Sequence, residues 1–382
     1  MAYIKQEFID RLVQESDILD VCQKYGNTIV KKGSKFFCTS PFAEEKTPSC
    51  LINVTTQTYK DFSTGKSGNV ITFIKEKNNY TYIEAVEELA KIKGWTLEYE
   101  NSEQAEKIKV KKAKEKSLRM YLKALIPKFQ AELKKLPKTH PAWKEIEKRG
   151  YSDQDVDFYD IGFAPGSQFM YKLFSEVGNV DAGKKLGLIN DKNQDKLWNK
   201  LVYPIYNDKS EILGFASRKL DDNQNFAKWM NPSDNELYDK SSTLYGFNIA
   251  KNAIVKRNRV WVVEGYNDVI AWHKKGLENT VGICGTSFTE KHMRMLKKLT
   301  SKITLCLDGD SAGKTSMLKY LPTLITLGFS VEVCTLPAKL DPDDYSRKYR
   351  CFPEIYMELG KSERTFTLEQ SLQPYLINWF EV

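Results

Sequence analysis

Between Arg259 and Tyr345, six carboxylates fall into three tight groups. Glu264 and Asp268 lie in Val-Glu-Gly-Tyr-Asn-Asp, Asp308 and Asp310 in Leu-Asp-Gly-Asp, and Asp341 and Asp343 in Leu-Asp-Pro-Asp-Asp. Acids gathered at one edge repel each other unless a cation sits among them. Oxygen-only donors suit Mg²⁺, which is bound mainly by carboxylates together with substrate phosphates. The pattern therefore points to a divalent-metal site for phosphoryl chemistry, as against three solvated acidic loops.

Such a site needs a sheet to position it. Apolar runs at 260–263 and 303–307 lead straight into the first two groups, and another at 331–336 ends just before the third. Strands expected at 260–263, 280–284, 303–307 and 331–336 alternate with helices near 268–275, 289–299 and 312–326. That alternation predicts a largely parallel α/β sheet. Ligands of open α/β sheets collect at the carboxyl ends of strands, where these acids fall.

At these residues the chain resembles the Toprim domain, which is shared by DnaG-type primases, some topoisomerases and a few nucleases. The match runs through Glu-Gly-Tyr-x-Asp, Gly285-Thr286-Ser287, Asp-Gly-Asp-x-Ala-Gly from Asp308 to Gly313, and Asp-Pro-Asp. Upstream segments resemble the primase polymerase core. They include Glu147-Lys148-Arg149-Gly150, Ile161 to Pro165, residues 200–205, 214–218 and 228–232, Asp239-Lys240, and Leu244-Tyr245-Gly246. Phosphoryl chemistry needs cations opposite a metal-bound triphosphate. Arg218, Lys228 and Lys240 are the candidates, since guanidinium grips phosphate bidentately and ammonium acts as a point charge. Asn231 is a candidate partner of ribose or phosphate, and Trp143, Lys144 and Arg149 are a candidate template surface.

The N-terminal part resembles the zinc-binding domain of the same primases. The likeness covers Ser40 to Ser49, Tyr59 to Phe62 and Gly65 to Gly68. The family's Cys and His ligand positions correspond to Ser40, Ala43, Asp61 and Thr64. Alanine and neutral hydroxyls are poor Zn²⁺ ligands, and Cys38 with Cys50 would not complete a tetrahedral site. The expectation is a zinc-ribbon fold without zinc, its core drawn from Phe36, Phe37, Phe42, Tyr59 and Phe62.

These likenesses imply an α+β and α/β multidomain chain. It comprises a zinc-ribbon-like antiparallel domain at 1–100, a charged linker at 101–117 and a mixed basic subdomain at 118–257. A Toprim domain at 258–345 and a short helical segment at 346–382 follow. Within the first domain, apolar spacing predicts one helix over 3–25, and Thr81 with Glu84 forms a capping box. By resemblance, Asp308, Asp310 and Asp343 hold divalent metal with Asp341 and Asp268 assisting. Glu264 would bind metal or help to deprotonate a 3′-hydroxyl. The implied activity is a DNA primase using Mg²⁺ or Mn²⁺, ribonucleoside triphosphates and single-stranded DNA, with a replicative helicase as partner. Alternatives are a non-catalytic single-stranded-DNA-binding replication protein and a Toprim nuclease. The family usually continues through a helical subdomain and a helicase-binding domain, so the expectation is either a different helicase contact or a shortened, phage-type or truncated version.

Composition agrees with a nucleic-acid partner. The 382 residues carry a net charge of +8 with 41% hydrophobic content. Residues 101–150 alone hold 15 Lys and Arg against six Glu and no Asp. A concentrated basic segment is the footprint of a polyanion or of a solvated helical linker. No apolar run nears the roughly 20 residues of a membrane span, and no signal peptide is evident. Seven cysteines without a C-x-x-C pair predict reduced thiols and a cytoplasmic setting. Gly313-Lys314-Thr315 and Gly65-Lys66-Ser67 lack the earlier glycine of a phosphate-binding loop. His140, His273 and His292 are too dispersed for a triad.

Overall fold

A computed structural model describes residues 4–349 and 355–359, except 34, 44, 79, 101, 167, 221–226, 286, 309–310, 335 and 337–339. Asp310 thus lies outside the described residues. The chain divides into two compact units, Met1–Ala113 and Lys114–Val382.

The first unit opens with α1 (Gln6–Gln14) and α2 (Ile18–Lys24), then β1 (Val30–Lys32), β2 (Lys35–Cys38), β3 (Cys50–Asn53), β4 (Thr58–Asp61) and β5 (Ser67–Gly68). Next come α3 (Val70–Asn78) and α4 (Tyr82–Lys93). The five strands form one antiparallel sheet in chain order. The single helix expected over 3–25 is broken in two. Ser16 turns its hydroxyl back to the Leu12 carbonyl at 2.6 Å, and Asp17 caps α2 by accepting the Leu19 N–H at 2.8 Å. Short polar side chains compete with the helix ladder in this way. Thr81 and Glu84 form the expected capping box on α4.

Apolar faces of the helices cover one side of the sheet, where Phe73 stands edge-on to Tyr59 at 5.4 Å. Tyr59 is buried, Phe36 and Phe42 are partly buried, and Phe62 is 60% exposed beneath Lys60.

Beside this apolar core lies a polar cluster. Asp61 is fully buried at the end of β4, opposite Cys50. Its carboxylate accepts the hydroxyls of Ser40 at 2.9 Å and Ser63 at 3.1 Å, the Thr64 N–H at 3.2 Å, and the Thr64 hydroxyl. Ser49 joins at 3.3 Å and also donates to Glu45. Burial pushes the Asp61 carboxyl up, but these donors outweigh it and hold the group below its ordinary value.

Helix α5 (Ser102–Lys135) contains the division between the units, so the lysine-rich segment expected as a linker is helical. Its residues Leu122, Leu125, Phe129 and Leu133 are buried in the second unit. There follow α6 (Pro141–Lys148), α7 (Asp153–Phe158), β6 (Gly162–Ala164), α8 (Phe169–Glu176), α9 (Val180–Lys185), β7 (Lys200–Tyr206), β8 (Ile212–Lys219) and β9 (Trp229–Met230). The four strands make an antiparallel sheet, β6-β7-β8-β9.

The remainder alternates: α10 (Phe247–Arg257), β10 (Val260–Val263), α11 (Tyr266–Lys274), β11 (Thr280–Gly282), α12 (Glu290–Lys297), β12 (Lys302–Leu305), α13 (Ser311–Thr326), β13 (Ser330–Cys334), α14 (Pro342–Lys348) and β14 (Ile355–Leu359). The sheet order is β11-β10-β12-β13-β14, parallel except for β14. Within 346–382, where a helical segment is expected, residues 355–359 instead pair antiparallel with β13. A strand there covers the edge that β13 would otherwise expose. Both sheets of this unit share one core, in which Tyr203 of β7 packs with Trp229 and Tyr266, and Trp272 with Trp261 and Tyr345. No described helix is long and apolar enough to cross a membrane.

Because Asp61 is itself buried and gathers several donors at once, Asp61→Ala should destabilise the first unit by about 2–4 kcal/mol, and the closer mimic Asp61→Asn by less. Its folded value is depressed, so its contribution is present above about pH 4 and lost as pH falls through the lowered value. Urea unfolding of the full chain at pH 7 and pH 3 checks both statements.

Candidate metal and nucleotide site

A cavity of about 370 Å³ opens at the carboxyl ends of β10 and β12. Glu264, Asp268, Asp308 and Asp341 line it together with Arg149, Arg218, Lys228 and Asn231. The structure thus brings together residues from six separate sequence segments.

Backbone donors set the acids in place. Glu264, one residue beyond β10, accepts the Asp308 N–H at 3.2 Å and so links the ends of two neighbouring strands. Asp268, in the first turn of α11, accepts the Gly265 N–H at 2.7 Å and the Asp343 N–H at 3.2 Å. Asp341 caps α14 through the Asp344 N–H at 2.6 Å. One ligand oxygen from each of Asp341, Asp343 and Asp344 lies within 4.8 Å of the others. Asp343 is only 1% exposed, and it pairs with Arg149 and, at 3.2 Å, with Arg347. Its second oxygen, Oδ1, is buried and accepts no hydrogen bond among the described residues. An orphaned carboxylate oxygen facing further acids is what a hard divalent cation would satisfy.

The electrostatics carry the same message. Burial, then the carboxylates of Asp341 and Asp308, push Asp268 well above the usual range. Burial also raises Asp343 despite its arginine partners. Gly313 explains how α13 reaches this loop, since a Cβ there would collide with the Asp308 carbonyl and stand 3.1 Å from its N–H nitrogen.

Among the basic residues, Arg218 projects from β8, 5% exposed, with its guanidinium 5.4 Å from the Trp229 ring centre. Asn231 accepts the Tyr266 hydroxyl at 2.7 Å and donates to the Cys284 carbonyl. Lys228 is exposed at the rim. Lys240 does not line the cavity; its stem runs beside Gly285, where a Cβ would lie 3.2 Å from Cε.

The expected template surface needs correction. Trp143 is 7% exposed, donates its indole N–H to the Leu133 carbonyl at 3.1 Å, and is capped by Lys138. Helix α6 buries Ala142, Trp143 and Ile146 together, which turns Lys144 outward on the opposite face. Arg149 is buried against Asp343 and Glu145. Only Lys144 remains exposed for a template. Sequence reading also passed over Asp344, adjacent to a named acid, and Glu145, four residues before Arg149 and so on its helix face.

Three family models match the chain: CHC2 zinc finger over residues 4–105, DNA primase catalytic core N-terminal domain over 128–251, and Toprim-like over 261–346. The chain is 33% identical over 354 residues to a DNA primase of Halalkalibacterium halodurans, covering 91% of this chain and 58% of that protein. For the DNA primase of Listeria monocytogenes the identity is 31%, covering 95% and 59%. The chain belongs to the DnaG-type primase family. It spans less than 60% of the length of these primases. Among solved structures, the Aquifex aeolicus primase (zinc binding and RNA polymerase domains) superposes with a TM-score of 0.58 at 27% identity, over 90% of this chain and 82% of that one. A DnaG primase catalytic domain bound to single-stranded DNA gives 0.56 at 30% identity, over 62% and 76%.

For a member of this family, the first unit's donor set is unusual. Ser40, Asp61 and Thr64 offer hydroxyls and one carboxylate already bonded to each other, and Ala43 offers nothing. These residues do not fit tetrahedral Zn²⁺, which takes thiolate and imidazole donors.

Two outcomes follow for the acids. The raised Asp268 value means that its share of stability is full below the ordinary value of 3.8 and falls as pH rises through the folded value. Mg²⁺ binding at any pH below that folded value should therefore release protons, read by calorimetry in buffers of different ionisation enthalpy across a pH series. Gly313→Ala should displace Asp308 and weaken divalent binding about tenfold or more, with unchanged far-UV circular dichroism.

Proposed function

We propose that this chain synthesises short RNA primers on single-stranded DNA by metal-dependent nucleotidyl transfer, with Mg²⁺ or Mn²⁺. The observation that carries the reading is a single cavity lined by four carboxylates together with two guanidinium groups and a lysine. That arrangement suits a triphosphate spanned between cations held by acids and cations supplied by side chains.

Glu264, Asp308, Asp341 and Asp343 would hold the divalent ions, with Asp344 next to them and Asp310 as the further acid of the same motif. Bound there, the ions would acidify a primer 3′-hydroxyl and offset charge on the leaving pyrophosphate. Asp268 acts from behind: it holds the Gly265 and Asp343 backbone N–H groups and so fixes two of the segments that carry ligands. Arg218 and Arg149 would grip phosphate oxygens, Lys228 would draw the nucleotide in from the rim, and Lys240 would act from beside Gly285. Asn231 has both ends of its amide engaged by Tyr266 and Cys284, so its role is to fix the wall.

We also propose that the first unit keeps the zinc-ribbon fold without zinc, its ligand positions tied together by the Asp61 hydrogen bonds. Lys32 over Phe37 and Lys60 over exposed Phe62 give that unit cation and ring pairs suited to template strand. A DNA template and ribonucleotide substrates place the activity in a cytoplasm, where a replicative helicase would be the partner.

Primer synthesis with labelled ribonucleotides on single-stranded DNA tests the reading, comparing wild type with Asp308→Ala. Short RNA should form with wild type and fall by about 10²-fold or more in the variant. DNA binding without synthesis by either protein, across varied templates and both metals, would contradict it.

A further inference from the structure

We propose that Glu145 is a positioning residue for the triphosphate, an inference that rests on the functional reading above. One carboxylate oxygen, Oε1, pairs with two arginines that line the cavity: it accepts the Nε–H of Arg149 at 2.9 Å, and it forms an ion pair with Arg218, whose Nε stands 2.7 Å away without hydrogen-bond alignment. The two arginines come from different elements. Arg149 follows α6, one helical turn beyond Glu145, while Arg218 stands on β8 opposite Trp229. Their side chains are each 6% exposed, and that of Glu145 is 15% exposed.

Two buried guanidinium groups facing one cavity repel each other, and solvent cannot screen them well at that depth. The Glu145 carboxylate between them offsets that repulsion and fixes their spacing. It does so through Nε, so the binding leaves the terminal nitrogens, with which a guanidinium grips a phosphate, for other partners. Arg149 uses one of them on Asp343. Glu145 therefore stands at the head of a chain of charges, Glu145 to Arg149 to Asp343, that joins the basic residues to the acidic ones. Arg218 is held on its other side by the Trp229 ring.

The sign of the effect separates positioning from simple neutralisation. If Glu145 only reduced the positive charge of the wall, its removal would strengthen nucleotide binding. If it sets the geometry, removal weakens binding although the wall becomes more positive.

The test is primer synthesis kinetics for Glu145→Gln, which keeps the shape and removes the charge. We expect KM for ribonucleotides to rise about tenfold while kcat changes less than about threefold. Arg218→Lys should raise KM too, and the double variant should fall short of the sum of the two single effects, because part of each runs through the shared Glu145–Arg218 contact. An unchanged or lowered KM, or effects that add in full, would overturn the inference. Should Glu145→Gln fail to fold, Glu145→Asp keeps the charge but is one methylene too short to reach both Nε atoms. A raised KM in that variant supports positioning, and an unchanged KM overturns it. If wild type makes no primer, the functional reading falls by itself. Calorimetry with inorganic triphosphate then decides the role of Glu145, with weaker binding by Glu145→Gln supporting it and equal or tighter binding overturning it.

Discussion

Carboxylates crowded at the end of a parallel sheet are the constraint on which the second unit depends. Glu264, Asp268, Asp308 and Asp341 share one small cavity, with Asp343 buried behind them. Like charges so close are costly in a site shielded from water. Three responses are built into the fold. Backbone N–H groups of Gly265, Asp308, Asp343 and Asp344 point at carboxylate oxygens. Arg149 and Arg347 cover Asp343. Asp268 answers instead with a raised affinity for a proton. The shared core beneath, from Tyr203 to Trp272, holds the two sheets so that the arginines arrive beside the acids.

The first unit meets a related constraint by another route. A small sheet with four short helices must stabilise tight loops at the end of β4, where its relatives are described as a zinc finger. Here one buried carboxylate collects hydroxyl and amide donors from Ser40, Ser63 and Thr64. An anion surrounded by donors is stable when buried, because each bond to it is stronger than a neutral one. The aromatic contacts of Tyr59 with Phe42 and Phe73 lie on the same side of the sheet and supply the apolar share.

Much of this was legible in the sequence, because the signals were periodic. Buried parallel strands read as apolar runs; β10 coincides with its run and β12 overlaps its own, starting one residue earlier at Lys302. The acids were legible because the first two groups follow apolar runs directly and the third lies a few residues past another. What failed to read were features that depend on a third dimension. Trp143 and Arg149 look like a surface when seen as charge and ring in one segment. Only the packing of α6 shows that the indole faces inward and that the guanidinium meets an acid 194 residues later. The break between α1 and α2 was hidden because Ser16 and Asp17 interrupt the helix by hydrogen bonds without disturbing its apolar spacing. The strand at 355–359 depends on an edge of β13 that no local pattern announces. Glu145 was missed for the same reason: its second arginine lies 73 residues away, on β8.

The central claim is that the acidic cluster is a divalent-metal site. Crystals of the full chain soaked with Mn²⁺ and a ribonucleoside triphosphate would test it by anomalous scattering. The account predicts a peak among Glu264, Asp308 and the Asp341–Asp343 pair, with the triphosphate reaching across to Arg218. Saturating Mn²⁺ with no anomalous density in that cavity would contradict it.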